Sequence, residues 1–420
     1  MENQVNKMLD YYNNLISISK DIVKLNISSF FYSLFFDRAI WTLFLLEKGL
    51  DGLQVGLAES LLHISIVLFE VPTGIIADIY GRKISLIISR IISIIYAVGL
   101  MSVNNIWSIY FIFILFGLGS TFSSGSDTAL LYDSIKGNKK EKDKQFTKIN
   151  GYYGAFITAG LTLGMFCGGF LQSVSWNTVY LCIAVVQVIS IIPLINMTDN
   201  SGLVKAKQGK NQDFSFLVCL KNLVISNLIV FKNRLFFTLV IGIVIFTATI
   251  NTLYLFIPIW FKEQGFDEII ISQIFTLDSI IGIIAYSCAY KLEKRVNIYT
   301  LLIILPLISL IALLLLPLSN SLSPILFIII NNLAILFYPL SSALINKLIK
   351  SEERATILSS VSFLSSIIIA IQFPTIGFLT KYIDTGFVLS GLSIFCLCSI
   401  ILLWQTNRKG ILNYNEKRYS

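Results

Sequence analysis

The chain has 420 residues, of which 55% are hydrophobic and only 13% charged, where soluble domains carry about 25% charged residues. That balance excludes a water-soluble globular protein, because lipid must be the solvent for most of so much apolar surface. The net charge of +8 calls for no nucleic-acid partner, since it is spread over loops between apolar runs. The single histidine, His63, and six cysteines without a paired spacing supply neither a metal site nor a disulfide framework. No cofactor is expected.

Residues 1–24 hold Asp10, Lys20 and Asp21 among many Asn and Tyr. They lack the early apolar core and cleavage site of a secretory signal. They are expected to form a cytoplasmic or interfacial segment, with an amphipathic helix over 8–23. A spanning helix needs about 20 apolar residues to cross ~30 Å of hydrocarbon. Twelve stretches qualify, at roughly 25–46, 57–77, 84–103, 107–129, 149–171, 177–197, 235–260, 269–290, 298–318, 323–345, 355–379 and 386–404. The eleventh is diluted by serines, which can bond to their own helix or a neighbour.

Of the 32 Lys and Arg residues, 27 fall in the loops on one side of this plan and 3, Lys48, Lys262 and Lys381, on the other; Arg38 and Arg90 lie within or at the edge of helices. The asymmetry puts both termini in the cytoplasm. Residues 198–234 begin polar and turn amphipathic over 214–231, as a linker carrying a helix on the inner membrane face would. The fold expected is all-α and membrane-integral. It has a six-helix half at 25–197, the linker at 198–234, a second six-helix half at 235–404 and a cytoplasmic tail at 405–420. Such a layout suits a transporter whose solute binds between the halves.

Between the second and third spans, Gly74, Asp78, Gly81, Arg82 and Lys83 follow the order G-x-x-x-D-x-x-G-R-K. This resembles the loop signature of the major facilitator superfamily, G-x-x-x-D-R-x-G-R-R/K, with Ile79 in place of the usual basic residue. Gly74 is expected to allow close helix approach and Gly81 a tight turn. The resemblance implies that Asp78 and Arg82 help to latch the two halves. The string from Phe69 through Lys83 looks like bacterial drug-efflux members. In the fifth span, Gly151, Gly160, Gly164, Gly168 and Gly169 resemble the antiporter signature G-x8-G-x3-G-P-x-x-G-G, with Met165 where proline is usual. Glycines at this spacing make a groove, expected to receive the eighth or second helix. The strings at 124–134 and 353–359 look like the same places in bacterial exporters. The basic residue that many proton antiporters of the superfamily carry in the fourth helix is absent, with Phe113 or Leu115 in its place. The resemblance spans about 25–404.

Charges inside spans are costly and usually face a cavity or a partner. Asp37 and Arg38 lie about twelve residues into the first span, or ~18 Å along a continuous helix. Glu70 lies two turns inside the second, and Asp278 about nine residues into the eighth. Asp37 reads as a carboxylate able to exchange a proton against a cationic or polar solute, or else as part of a structural network with Arg38. Arg38 could replace the missing fourth-helix base by pairing with Asp127. Trp41, one turn from Asp37 on a continuous helix, would suit an amphiphilic cation. Glu59 and His63 share one face of the second helix, in a reading that is more structural than functional.

The resemblance implies a secondary transporter that exports a small molecule or drug by proton antiport; the Ile-, Asn- and Lys-rich composition favours a plasma membrane, and a monomer is expected. An uptake or facilitative carrier of the same fold is the alternative. No G-x-x-x-x-G-K-[ST] string is present for nucleotide drive. The loops on the outer side are too short to house the site of a membrane enzyme.

Overall fold

The computed structural model describes residues 20–103, 105–135, 139–197, 234–349 and 354–408. The expected helix at 8–23, apart from its last turn, and the linker helix at 214–231 lie outside the described residues. So do most of the tail and part of the string at 353–359.

Every described element is helical. The order begins with α1 (Lys20–Tyr32), α2 (Trp41–Glu47), α3 (Gly52–Tyr80), α4 (Arg82–Ser102), α5 (Ile106–Ser123), α6 (Ser126–Ser134), α7 (Lys139–Gln172) and α8 (Trp176–Ile195). It continues with α9 (Arg234–Glu263), α10 (Glu268–Arg295), α11 (Ile298–Leu315), a 3-10 turn (Leu316–Leu318), α12 (Ser323–Leu348), α13 (Arg354–Leu379), α14 (Thr385–Gly391) and α15 (Ser393–Arg408). Among the described residues, 11 helical runs are long and apolar enough to cross a membrane. Two of them, Ile106–Ser134 and Thr385–Arg408, join two of these helices end to end.

The first expected span is the exception. Its run at 25–46 is not one helix, because residues 33–40 leave the α-helical path between α1 and α2. Short-range bonds hold this break, among them Phe35 N–H to the Ser33 carbonyl at 2.8 Å and Arg38 N–H to the Phe35 carbonyl at 3.3 Å. Irregular backbone at membrane depth is tolerated where protein covers it. Leu34, Phe36, Asp37, Ala39 and Ile40 are all buried here. The fourth and twelfth expected spans also bend, the one at Ser124 and Gly125 and the other at Leu392. Gly125 adopts a positive φ of 72°, which glycine permits at little cost.

Polar caps mark several helix starts. Asp51 accepts from Gln54 N–H at 2.9 Å while the Gln54 side chain accepts from Asp51 N–H at 3.0 Å, a reciprocal capping box. Asn105, Ser175 and Asp267 cap α5, α8 and α10 in the simpler way.

The chain divides into two compact units. Among the described residues, the first contains 20–38 and 68–197, and the second 39–67 and 234–408. Helix α3 contributes to both. In the first unit α4 packs on α8 and α5, and α1 packs on α8 and α7. An apolar cluster of Ile22, Leu25, Leu86, Leu130, Leu131 and Leu194 closes one end. In the second unit α9 packs on α13 and α15, and α12 on α10 and α11. There the start of α3 meets the end of α13. A Cβ on Gly56 would strike the Phe373 carbonyl, and one on Gly377 the carbonyl of Gly52. An ion pair between Asp51 and Lys381 at 2.9 Å adjoins this contact.

Candidate functional site

The first unit holds a buried carboxylate at the helix break. Asp37 is 2% exposed, and one of its oxygens accepts from the Tyr96 hydroxyl of α4 at 2.9 Å. Tyr96 stacks on Phe116 with centroids 4.3 Å apart and meets Phe35, Phe113 and Tyr180 edge-on. Among the described residues Asp37 makes no ion pair. Arg38, its neighbour, is exposed. Because residues 33–40 are not helical, Asp37 and Trp41 do not share one face of a continuous helix. The expected Arg38–Asp127 pair is not formed either. Asp127, at the start of α6, accepts from the Tyr153 hydroxyl at 2.9 Å and from Thr128 N–H at 2.6 Å.

The second unit holds its own buried carboxylate. Asp278 on α10 is 4% exposed and accepts from the side-chain amides of Asn331 at 2.6 Å and Asn332 at 2.8 Å, both on α12. It too has no cationic partner among the described residues. Glu70 is exposed on the first unit's part of α3 and makes no ion pair among the described residues. Glu59 and His63 approach to 3.9 Å, and His63 packs edge-on against Phe373.

The loop motif is built as a turn. Gly81 has φ 104°, a region closed to most side chains, and it lets α4 start immediately after α3. Arg82 then donates to the Ala129 carbonyl at 2.9 Å and to Asp133 at 2.5 Å. Lys83 donates to the carbonyls of Ile195 and Met197 at 2.7 and 2.8 Å, which complements the end of α8. Asp78 is exposed. Gly74 does not serve close packing within its unit, since a Cβ there would meet no atom.

Within the first unit the α7 glycines pack against the first segment. A Cβ on Gly160, Gly164 or Gly168 would collide with the carbonyl oxygen of Phe30, Phe35 or Phe36, respectively. The groove therefore receives the broken first segment. Gly169 is buried, and Gly151 is exposed with open space around it.

Sequence reasoning gave Arg90 no role. It is fully buried on α4, with its guanidinium carbon 3.4 Å from the centroid of the Tyr32 ring. The available signal was its place as the only cation in the apolar run 84–102. A cavity of about 310 Å³ lies at one end of the second unit, beside the Glu293–Lys347 ion pair at 2.7 Å.

The sequence model of the Major Facilitator Superfamily matches residues 27–373. The chain belongs to the major facilitator superfamily. A curated relative, an uncharacterized MFS-type transporter YxaM of Bacillus subtilis (strain 168), is 25% identical over 260 residues, which are 61% of this chain and 62% of that protein. The match thus spans about three fifths of the relative's length. Among solved structures, the nucleoside transporter NupG aligns with TM-score 0.73 at 17% identity, over 92% of this chain and 98% of that one. A POT family transporter in complex with 5-aminolevulinic acid aligns with TM-score 0.70 at 15% identity, over 93% and 96%. At these identities the likeness is one of fold. Superfamily membership makes the chain a multi-pass transporter rather than a membrane enzyme.

Proposed function

We propose that the chain is a secondary active exporter in the plasma membrane, moving a small molecule outward in exchange for protons. The observation that carries the reading is a buried carboxylate in each unit, Asp37 and Asp278, with only neutral hydrogen-bond partners. A carboxylate held this way can take up or give back a proton without breaking an ion pair. That is what a coupling group must do each cycle. The Gly81 turn, with Arg82 tied to Asp133, supports the reading of the α3–α4 loop as a conformational latch. The α7 glycine seam is in keeping with the exporter branch. The working unit is a monomer.

The test is accumulation of a panel of lipophilic drugs and dyes in proteoliposomes carrying a pH gradient. Gradient-driven movement by the wild type, lost in Asp37→Asn, is the expected result. Movement that ignores the gradient in the wild type would overturn proton coupling. Uptake or facilitated carriage on the same fold is the alternative, and it predicts movement in the opposite direction or without a gradient. Nucleosides belong in the panel, given the likeness to a nucleoside transporter.

A further inference from the structure

Among the described residues, Arg90 is the group whose burial the coupling scheme leaves unexplained. Its side chain is 0% exposed. Of its donor nitrogens, one reaches the Ser123 hydroxyl at 3.3 Å, a long contact for this class of bond. Nε and the other terminal nitrogen have no hydrogen-bond partner among the described residues. An isolated cation held away from water is strongly disfavoured unless an anion or aligned acceptors face it. Tyr32 supplies a cation–π contact through its ring and a hydrogen-bonding hydroxyl beside the group, but neither is an anion, and Nε and one terminal nitrogen are left without an acceptor among the described residues.

The acid whose charge reaches Arg90 is Asp127. It does not come within ion-pair distance; its two oxygens accept from the Tyr153 hydroxyl and the Thr128 N–H. Tyr153 is fixed in turn by the Ser29 hydroxyl at 3.0 Å. Tyr32 is fixed by Ser89 at 3.2 Å and by the Gln187 amide, which donates to its carbonyl at 3.0 Å. The neighbours are tied to one another, and the guanidinium edge is left over. A planar fork of free N–H donors matches the two oxygens of a carboxylate or phosphate.

We propose that Arg90 receives an oxyanion group, a carboxylate or a phosphoryl, of the transported solute within the first unit. Aromatic rings lead away from it. Tyr32 contacts Phe35, which contacts Tyr96 and Phe116, and Tyr96 bonds to Asp37. A solute with an anionic head and a flat apolar body fits this run of rings. The inference rests on the transporter reading, but it does not require proton coupling.

The experiment is thermal unfolding of the purified full chain in detergent, at fixed pH and chloride, with no ion gradient. The probes are matched acid–amide pairs (benzoate and benzamide, phenylacetate and phenylacetamide, indole-3-acetate and its amide) together with phenyl phosphate. At least one acid is expected to raise the unfolding midpoint where its amide does not. Arg90→Gln should raise the half-effective concentration of that acid at least tenfold. Arg90→Lys, which keeps the charge but loses the fork, should fall between. If Arg90→Gln does not fold, Arg90→Lys decides alone: weaker acid binding supports the proposal and unchanged binding overturns it. Equal effects of acid and amide, acid binding that survives Arg90→Gln, no response to any acid or to phenyl phosphate, or the same response to chloride alone would each overturn it. Because no gradient is present, failure here leaves the coupling role of Asp37 and Asp278 standing. A failed gradient experiment leaves this inference standing.

Discussion

The two buried carboxylates are held in different ways. Asp278 sits in the middle of a regular helix and is gripped by two amides from one neighbouring helix, Asn331 and Asn332. Asp37 sits where the chain has left the helix, with one tyrosine hydroxyl on it and aromatic rings around that tyrosine. The second arrangement lacks the paired side-chain amides, and its backbone is already out of its helical hydrogen bonds. It should rearrange more readily when its proton changes hands, while Asp278 should move less. If both acids exchange protons as proposed, Asp37 is expected to be the yielding acid and Asp278 the rigid one.

The largest effects should come from the acids themselves. Asp37→Asn and Asp278→Asn are each expected to cut gradient-driven flux at least tenfold in proteoliposomes. If Asp278→Asn leaves flux unchanged, only the yielding acid carries the coupling, and the comparison reduces to a structural one. Next come the glycines that shape the first site. Gly168→Leu places side-chain atoms against the Phe36 carbonyl and is expected to destabilise the fold by about 3 kcal/mol, at the upper end of the overpacking range. Gly151→Leu has open space and should stay within about 0.5 kcal/mol. Thermal midpoints of the two variants in the same detergent check the contrast.

Smaller effects should separate the two ionic ties. The first unit pairs Arg82 of α4 with Asp133 of α6, and the second pairs Glu293 of α10 with Lys347 of α12. Double-mutant cycles on unfolding should give at most about 1 kcal/mol for either. The arginine pair should be the stronger, because the guanidinium also bonds the Ala129 carbonyl. The smallest effect is the pH response of Asp51. Burial pushes its carboxyl up, but the Lys381 hydrogen bond and charge and the Gln54 N–H outweigh that, and it is held below its ordinary value of 3.8. A lowered folded value means that the stabilisation is fully present above pH 3.8 and is lost as pH falls through the folded value. Both partners are more than a third exposed, so solvent screening leaves well under about 1 kcal/mol. The difference between wild type and Lys381→Ala should therefore be small at pH 7 and vanish in strong acid.

Much of this was legible in the sequence. Apolar runs of about 20 residues announce spans whatever their neighbours do, and eleven of them appear as helices or helix pairs among the described residues. Gly81 could be read as a turn because few other residues adopt its φ. The break at 33–40 was not legible. Phe30, Phe31, Phe35 and Phe36 are as apolar as any helix face, and hydropathy does not report the path of the backbone. With the break unseen, Asp37 and Trp41 read as one turn apart on a single helix, and nothing in the pattern pointed the α7 glycines to residues 30–36. Asn331 and Asn332 escaped notice because an amide in an apolar run looks neutral until a carboxylate is found opposite it. Arg90 was visible as a letter but not as a problem, since only the folded surroundings show that, among the described residues, no acid lies within ion-pair distance of it.

The seam between α7 and the broken segment also bears on inheritance. Every amino acid other than glycine carries a Cβ, so any missense change at Gly160, Gly164 or Gly168 introduces the same first atom into the same backbone oxygens. Alanine, the mildest substitution at most sites, meets that obstacle in full. Variation in descendants of this gene should therefore pass around these three codons. A lineage that loses one of the glycines could restore the seam only by reversion or by moving the backbone of residues 30–36, and with it the acid at position 37.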